Sequence, residues 1–312
     1  MKKVILLLLI TIETFAQTGN TIEEKQTNLK DSLFAIAYYA AEDGDYNFAI
    51  IHYSKALAIS PTDLYSFCNR GYCFYQIGEF KRAIEDYTKA LYYEPNYFIY
   101  NNRGLSYQGI LEYESALKDF ERSLALNDEF FSAYYNKGRM LNKLGEKEQA
   151  IIFHNKAITL VDSKVNEAEI LTSKADIYFS IEDYDNTIKT LEKIIEIGEA
   201  YSYTYARIGD VHRRKKEVQK AIDAYDKAIS YETVYSLAYL YRGKMKMHGE
   251  FKVLEESKND LLKYIELEPE DPEGYNSFGA IVAYQKQADY CKYWKLSCEK
   301  GDCTLYEQFC KK

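Results

Sequence analysis

Cysteine, histidine and carboxylate side chains are the groups in this chain that could do chemistry. Four of its six cysteines crowd the C-terminal end as Cys291, Cys298, Cys303 and Cys310, at intervals of 7, 5 and 7 residues. Four thiolates could hold a zinc ion, but structural zinc sites usually bring a Cys-x-x-Cys knuckle, which this spacing lacks. Disulfides fit better if the chain enters an oxidising compartment. Cys68 and Cys73 stand five apart in a helical pattern. At 3.6 residues per turn they point about 140° from each other, so they should remain buried free thiols. The four histidines, His52, His154, His212 and His248, are scattered. No glycine-rich phosphate loop, Gly-x-Ser-x-Gly elbow or distinctive carboxylate pair is present. The one strong basic run, His212 to Lys216, suits the negative end of a helix dipole or an acidic partner. The expectation is a non-enzyme with no catalytic residue, no metal ligand and no cofactor.

The elements that position these residues are helices. The chain has 312 residues, 47% of them hydrophobic, with only 4 Pro and 15 Gly, which argues against a loop-rich β fold. Tyr occurs 32 times, as it would if one aromatic packing position recurred. The formal net charge of −8 argues against binding a phosphate backbone, so no nucleic-acid partner is expected.

A repeat explains both the helices and the tyrosines. Gly71, Ala83, Tyr87, Ala90 and Pro95 are followed in the same phase by Gly104, Ala116, Phe120, Ser123 and Asp128. Gly138, Ala150, His154, Ala157 and Asp162 continue it, and Gly209, Ala221, Tyr225 and Ala228 repeat it once more. His154 thus sits at an aromatic packing position, where a core role is expected. Weaker copies start from Ala37, Ala175, Gly243 and Gly279; the fifth follows a short insertion near Val165 to Glu167, and the seventh has about two extra residues around Lys252 to Glu255. Each unit reads as two amphipathic helices. Small residues allow a close approach between the two, and Gly44, Gly78 and Gly145 suit a turn with positive φ. Pro61 and Pro95 stop the second helices. The runs Gly78-Glu79-Phe80-Lys81-Arg82-Ala83-Ile84 and Lys89-Ala90-Leu91-Tyr92-Tyr93-Glu94-Pro95 closely resemble the tetratricopeptide repeat. The fold expected is all-α, a superhelical solenoid of about eight such helix pairs.

That resemblance implies a concave groove, lined by first helices, that holds a peptide or a partner protein. The groove candidates are Asn69, Tyr72, Asn101, Asn102, Gln108, Tyr135, Asn136, Arg139, Arg207 and Arg213. Amides can bond a peptide backbone, and Tyr offers contact area at low entropy cost. The clamp by which some members of the family hold a C-terminal carboxylate needs Lys and Asn four apart, where this chain has Cys68 and Tyr72. An enzyme or glycan-handling role for the atypical C-terminal repeats, and a purely structural spacer, stay open as alternatives.

The ends complete the organisation. Lys2-Lys3, the apolar run Val4 to Ile10 and Ala16 read as a signal peptide over residues 1–16, with export to the periplasm or beyond. Residues 17–29 read as a mobile lead-in, 30–303 as the repeat array and 304–312 as a capping helix. No anchor crossing a membrane is expected in the mature chain, whose partner should lie in the cell envelope. An open array must cover its last apolar face. An antiparallel helix pair would nest the C-terminal cysteines, joining Cys298 to Cys303 and Cys291 to Cys310.

Overall fold

The computed structural model describes residues 22–231, 233, 235–247, 253–287 and 289–311. Among them are seventeen α-helices and no strand. The chain divides into two compact units, Met1–Val161 and Asp162–Lys312. The first holds α1 (Ile22–Glu42), α2 (Tyr46–Ile59), α3 (Leu64–Gln76), α4 (Phe80–Tyr93), α5 (Tyr97–Gly109), α6 (Tyr113–Leu126), α7 (Phe131–Lys143) and α8 (Lys147–Leu160). The second holds α9 (Lys164–Ser180), α10 (Tyr184–Glu196), α11 (Ser202–Arg214), α12 (Val218–Ile229), α13 (Leu237–Lys246), α14 (Leu254–Leu267), α15 (Pro272–Tyr284), α16 (Tyr290–Glu299) and α17 (Thr304–Phe309). Within each unit consecutive helices pack as antiparallel pairs, and α1, α3, α5 and α7 are the first helices of the four pairs in unit one.

Helix ends follow from local chemistry. Asp45 and Asp63 cap α2 and α3 by accepting from Phe48 N and Ser66 N, and Asn96 caps α5 by accepting from Phe98 N and Ile99 N. Every first helix whose end is described closes in the same left-handed turn, where an N–H bonds the carbonyl five residues back, as in Glu79 N to Phe74 O at 2.8 Å. Gly44, Gly78 and Gly145 fill that turn with φ of 81°, 79° and 87°. Leu111, Glu182, Lys216 and Lys286 fill it with φ of 57° to 64°, where a Cβ carries a steric cost.

The pairs close on a glycine-to-aromatic contact. A Cβ added at Gly71 would lie 3.1 Å from Tyr87; at Gly104, 2.7 Å from Phe120; at Gly209, 2.6 Å from Tyr225. Gly138 meets His154 in the same way, and His154 is fully buried with Nδ1 2.7 Å from Ala150 O. In the last pair the aromatic is Trp294 against Gly279, one position earlier in the repeat; in the seventh, Leu261 meets Gly243 after the two extra residues. Of the stretch from Lys252 to Glu255 read as holding those residues, Lys252 lies outside the described residues, as does His248.

Two boundaries differ from the sequence reading. The first helix starts at Ile22, inside the 17–29 segment read as a lead-in, because nothing between Ile22 and Lys30 breaks a helix. The signal-peptide segment, 1–16, lies outside the described residues. The array read as continuous over 30–303 is divided between Val161 and Asp162, beside the insertion, which lengthens α9 to 17 residues where α11 has 13.

One regular feature was missed. The cation before the repeat glycine forks onto an Asp of the following helix: Arg70 Nε to Asp86 at 2.7 Å and Arg103 Nε to Asp119 at 2.7 Å. Arg242 pairs with Asp260 in the same way. The same side chains reach back to the preceding pair, Arg70 to Ser54 Oγ, Arg103 to Thr88 Oγ1 and Arg242 to Asp226, while Lys137 reaches Glu121. The legible signal was Arg-Gly in one helix and Asp-Tyr, Asp-Phe or Asp-Leu in the next.

Candidate peptide-binding site

The N-terminal halves of α3 and α5 leave a pocket of about 420 Å³ between them in the first unit. Asn69, Tyr72 and Asn102 line it, together with Tyr65, Cys68 and Phe98. These residues converge because Asn69 and Asn102 hold one repeat position, two before the glycine, on adjacent first helices. Tyr65 is 67% exposed and Phe98 55%, so the aromatic wall faces water. No lining residue is charged.

The amides are partly committed. Asn69 Nδ2 donates to Tyr65 O at 2.9 Å, and Asn102 Oδ1 accepts from Asn101 Nδ2 at 3.4 Å. Asn69 Oδ1 and Asn102 Nδ2 have no partner among the described residues. One acceptor and one donor are what a peptide unit in the pocket requires. Cys68 contributes a wall and not a nucleophile: burial pushes its thiol up to about 12, and Asp63, Asp86 and Glu94 add to the effect. Burial likewise raises the Tyr72 hydroxyl, with Tyr46 contributing.

The other expected groove residues are placed differently. Asn101 and Asn136 are buried and bond each other across α5 and α7, Asn136 Nδ2 to Asn101 Oδ1 at 2.9 Å, so they hold the stack together and present little to a ligand. Gln108 is half-buried outside the pocket, and its Oε1 has no hydrogen-bond partner among the described residues. Arg139 lies 5.5 Å over the Tyr135 ring on α7. Arg207 and Arg213 belong to the second unit, where the protein itself occupies them. Arg207 pairs with Asp176 at 2.9 Å, bonds Tyr203 OH and stacks 4.7 Å from the Phe179 ring centre. Arg213 pairs with Asp210 at 3.2 Å and lies 4.1 Å over Tyr241. Asp210 also accepts from Tyr225 OH at 2.8 Å.

At the C-terminal end the sulfurs pair as Cys291 with Cys310 and Cys298 with Cys303, a nested arrangement that ties α17 to α16. Phe309 packs 5.5 Å from Trp294 beneath it. Asp302 turns the chain between them, accepting from Asn276 Nδ2 at 2.6 Å and Thr304 N at 3.0 Å. Cys68 and Cys73 are unpaired. No group of three or more His, Cys, Asp or Glu among the described residues is placed to hold a metal ion. No helix among them is long and apolar enough to cross a membrane.

Family models of the tetratricopeptide repeat match residues 65–97, 101–164, 168–200 and 202–235, more than half of the chain. The chain belongs to the tetratricopeptide repeat family. Solved structures share the fold of these repeats. The C-terminal part of a repeat protein of this family from Cytophaga hutchinsonii is 15% identical, with 78% of this chain and 98% of that one covered and a TM-score of 0.62. Pseudomonas aeruginosa pilF is 17% identical over 79% of this chain and 99% of its own, with a TM-score of 0.55. A tetratricopeptide repeat protein from Parabacteroides merdae is 20% identical over 79% and 100%, with a TM-score of 0.53. Tetratricopeptide repeats in general mediate protein–protein contacts, and the helix pairs here offer the surface for that role.

Proposed function

We propose that this protein is an extracytoplasmic scaffold that docks a segment of a partner protein in the pocket between α3 and α5. The observation that carries this reading is the pairing of exposed aromatics, Tyr65, Tyr72 and Phe98, with one amide atom left unbonded on each of Asn69 and Asn102, the Oδ1 of the first and the Nδ2 of the second. Apolar contact supplies affinity, and the amides fix a backbone. Export is supported by the basic and apolar N-terminus and by the paired C-terminal cysteines, which persist in an oxidising compartment. The partner is a protein of the cell envelope.

The pocket is tested by affinity purification of bound proteins with wild type and with Asn69→Ala, Asn102→Ala and Tyr65→Ala. All three are surface changes that should preserve helicity, and each should weaken retention of the same partner. Equal retention by all three would move the site elsewhere. Export is tested by the intact mass of protein made in an exporting host, which should lack residues 1–16.

A further inference from the structure

The charges around the pocket select its occupant further, given that the pocket is the peptide site. The lining itself carries no charge, but the two loops that lead into α5 and α7 carry three carboxylates. Glu94 lies two residues before Asn96, which lines the pocket, and Asp128 and Glu129 directly precede Phe130. Phe130 packs on the pocket wall, its ring 5.0 Å from that of Tyr97 and 6.3 Å from that of Phe98. All three carboxylates are exposed, and none has an ion pair among the described residues.

Three cations of the surrounding helices are already taken. Lys30 pairs with Asp31 at 2.8 Å and Asp63 at 3.6 Å; Arg70 is forked onto Asp86, and Arg103 onto Asp119. The N-termini of α3 and α5 would attract an anion, yet Asp63 and Asn96 already accept from their leading N–H groups. The charge on the loops that enter α5 and α7 is therefore wholly acidic, beside an uncharged pocket.

We propose that the partner segment places a large uncharged apolar side chain in the pocket and a lysine or arginine against Glu94, Asp128 and Glu129. Adjacent helices pack about 8–10 Å apart and an extended residue spans about 3.3 Å. The basic residue therefore lies about three positions from the apolar anchor, on the side toward α7. The exposed carboxylates set orientation and preference, while the anchor supplies most of the affinity.

The test uses the full chain and fluorescence anisotropy with labelled twelve-residue peptides in a Ser-Gly background. One set has a central Phe with Lys, Ser or Glu three residues to either side; a control has Ser in place of Phe beside Lys. The Lys peptide should bind about threefold tighter than the Ser peptide and the Glu peptide weaker still, the size expected of exposed ion pairs. The Lys advantage should shrink at high salt and vanish in the triple variant Glu94→Gln, Asp128→Asn, Glu129→Gln, with Phe-dependent binding retained. Phe-dependent binding that is equal for Lys and Glu peptides overturns the charge preference and leaves the pocket standing. Binding that does not depend on Phe, or no binding by any peptide, overturns the pocket reading and the preference with it.

Discussion

Adding one methyl group at Gly104 probes the glycine-to-aromatic contact on which its helix pair closes. The Cβ of Gly104→Ala would lie 2.7 Å from Phe120 Cε1, 3.0 Å from Cδ1 and 3.1 Å from Cζ. Carbon atoms settle at about 3.5–4.0 Å, so α5 and α6 must part by nearly an ångström or the ring must turn. Phe120 is fully buried and has nowhere to go. Overpacking of this kind costs about 1–3 kcal/mol. Replacing a mid-helix Gly by Ala returns about 1 kcal/mol. The net expectation is a loss of up to about 2 kcal/mol. Gly71→Ala meets Tyr87 at 3.1 Å, so a few tenths of an ångström suffice and the change should be near neutral. Gly209→Ala, at 2.6 Å from Tyr225, should resemble Gly104→Ala. The decisive assay is a double-mutant cycle of Gly104→Ala with Phe120→Leu, read by denaturant unfolding followed by helicity and by amide exchange in α5 and α6, since repeat arrays need not unfold in one step. Removing the ring should relieve the added methyl, giving a favourable coupling of about 1 kcal/mol or more. Additive losses, within about 0.5 kcal/mol, would refute the contact as the source of the cost. So would equal losses for Gly71→Ala and Gly104→Ala.

Three further outcomes follow from the geometry. Leu111 is 70% exposed at φ 64°, so Leu111→Gly should raise the melting temperature by relieving about 1 kcal/mol of backbone strain, with little packing lost. Burial raises the Cys68 and Cys73 thiols to about 12, so both are neutral in the fold; their contribution to stability should be flat below about pH 8.5 and fall as pH rises toward 12, because only the unfolded chain ionises them, by up to about 1.4 kcal/mol per pH unit for each thiol. A pH titration of stability should show this slope and lose part of it in Cys73→Ala. Reducing the C-terminal bridges should loosen the second unit, since closing loops with sequence separations of 19 and 5 removes about 3 and about 2 kcal/mol of unfolded-chain entropy respectively; non-reducing peptide mapping should recover both bridges, and crossed pairing would contradict the antiparallel cap.

The helix pairs were legible in the linear order because each depends on neighbours in sequence. Small residues at Gly71, Gly104 and Gly138 leave room that Tyr87, Phe120 and His154 fill, and a helical period brings them face to face whatever lies farther off. The turn glycines were equally plain, although Leu111, Glu182, Lys216 and Lys286 show that the same turn forms without glycine when the packed helices on either side impose it. The groove was only partly legible. Spacing put Asn69, Tyr72 and Asn102 on first helices, and they do share a pocket; it put Asn101, Asn136, Arg207 and Arg213 there too. Whether a polar side chain faces water or a neighbour depends on which group the next helix brings within about 3 Å, and no period encodes that. Stacking α7 on α5 turns two amides into an internal bond, and Asp176, Asp210 and Tyr203 absorb both arginines. Local sequence determined the repeat, its turns and its aromatic seam. Only the tertiary structure decided which polar groups the fold consumes and which remain for a partner, because a hydrogen bond is spent as soon as packing supplies its other half.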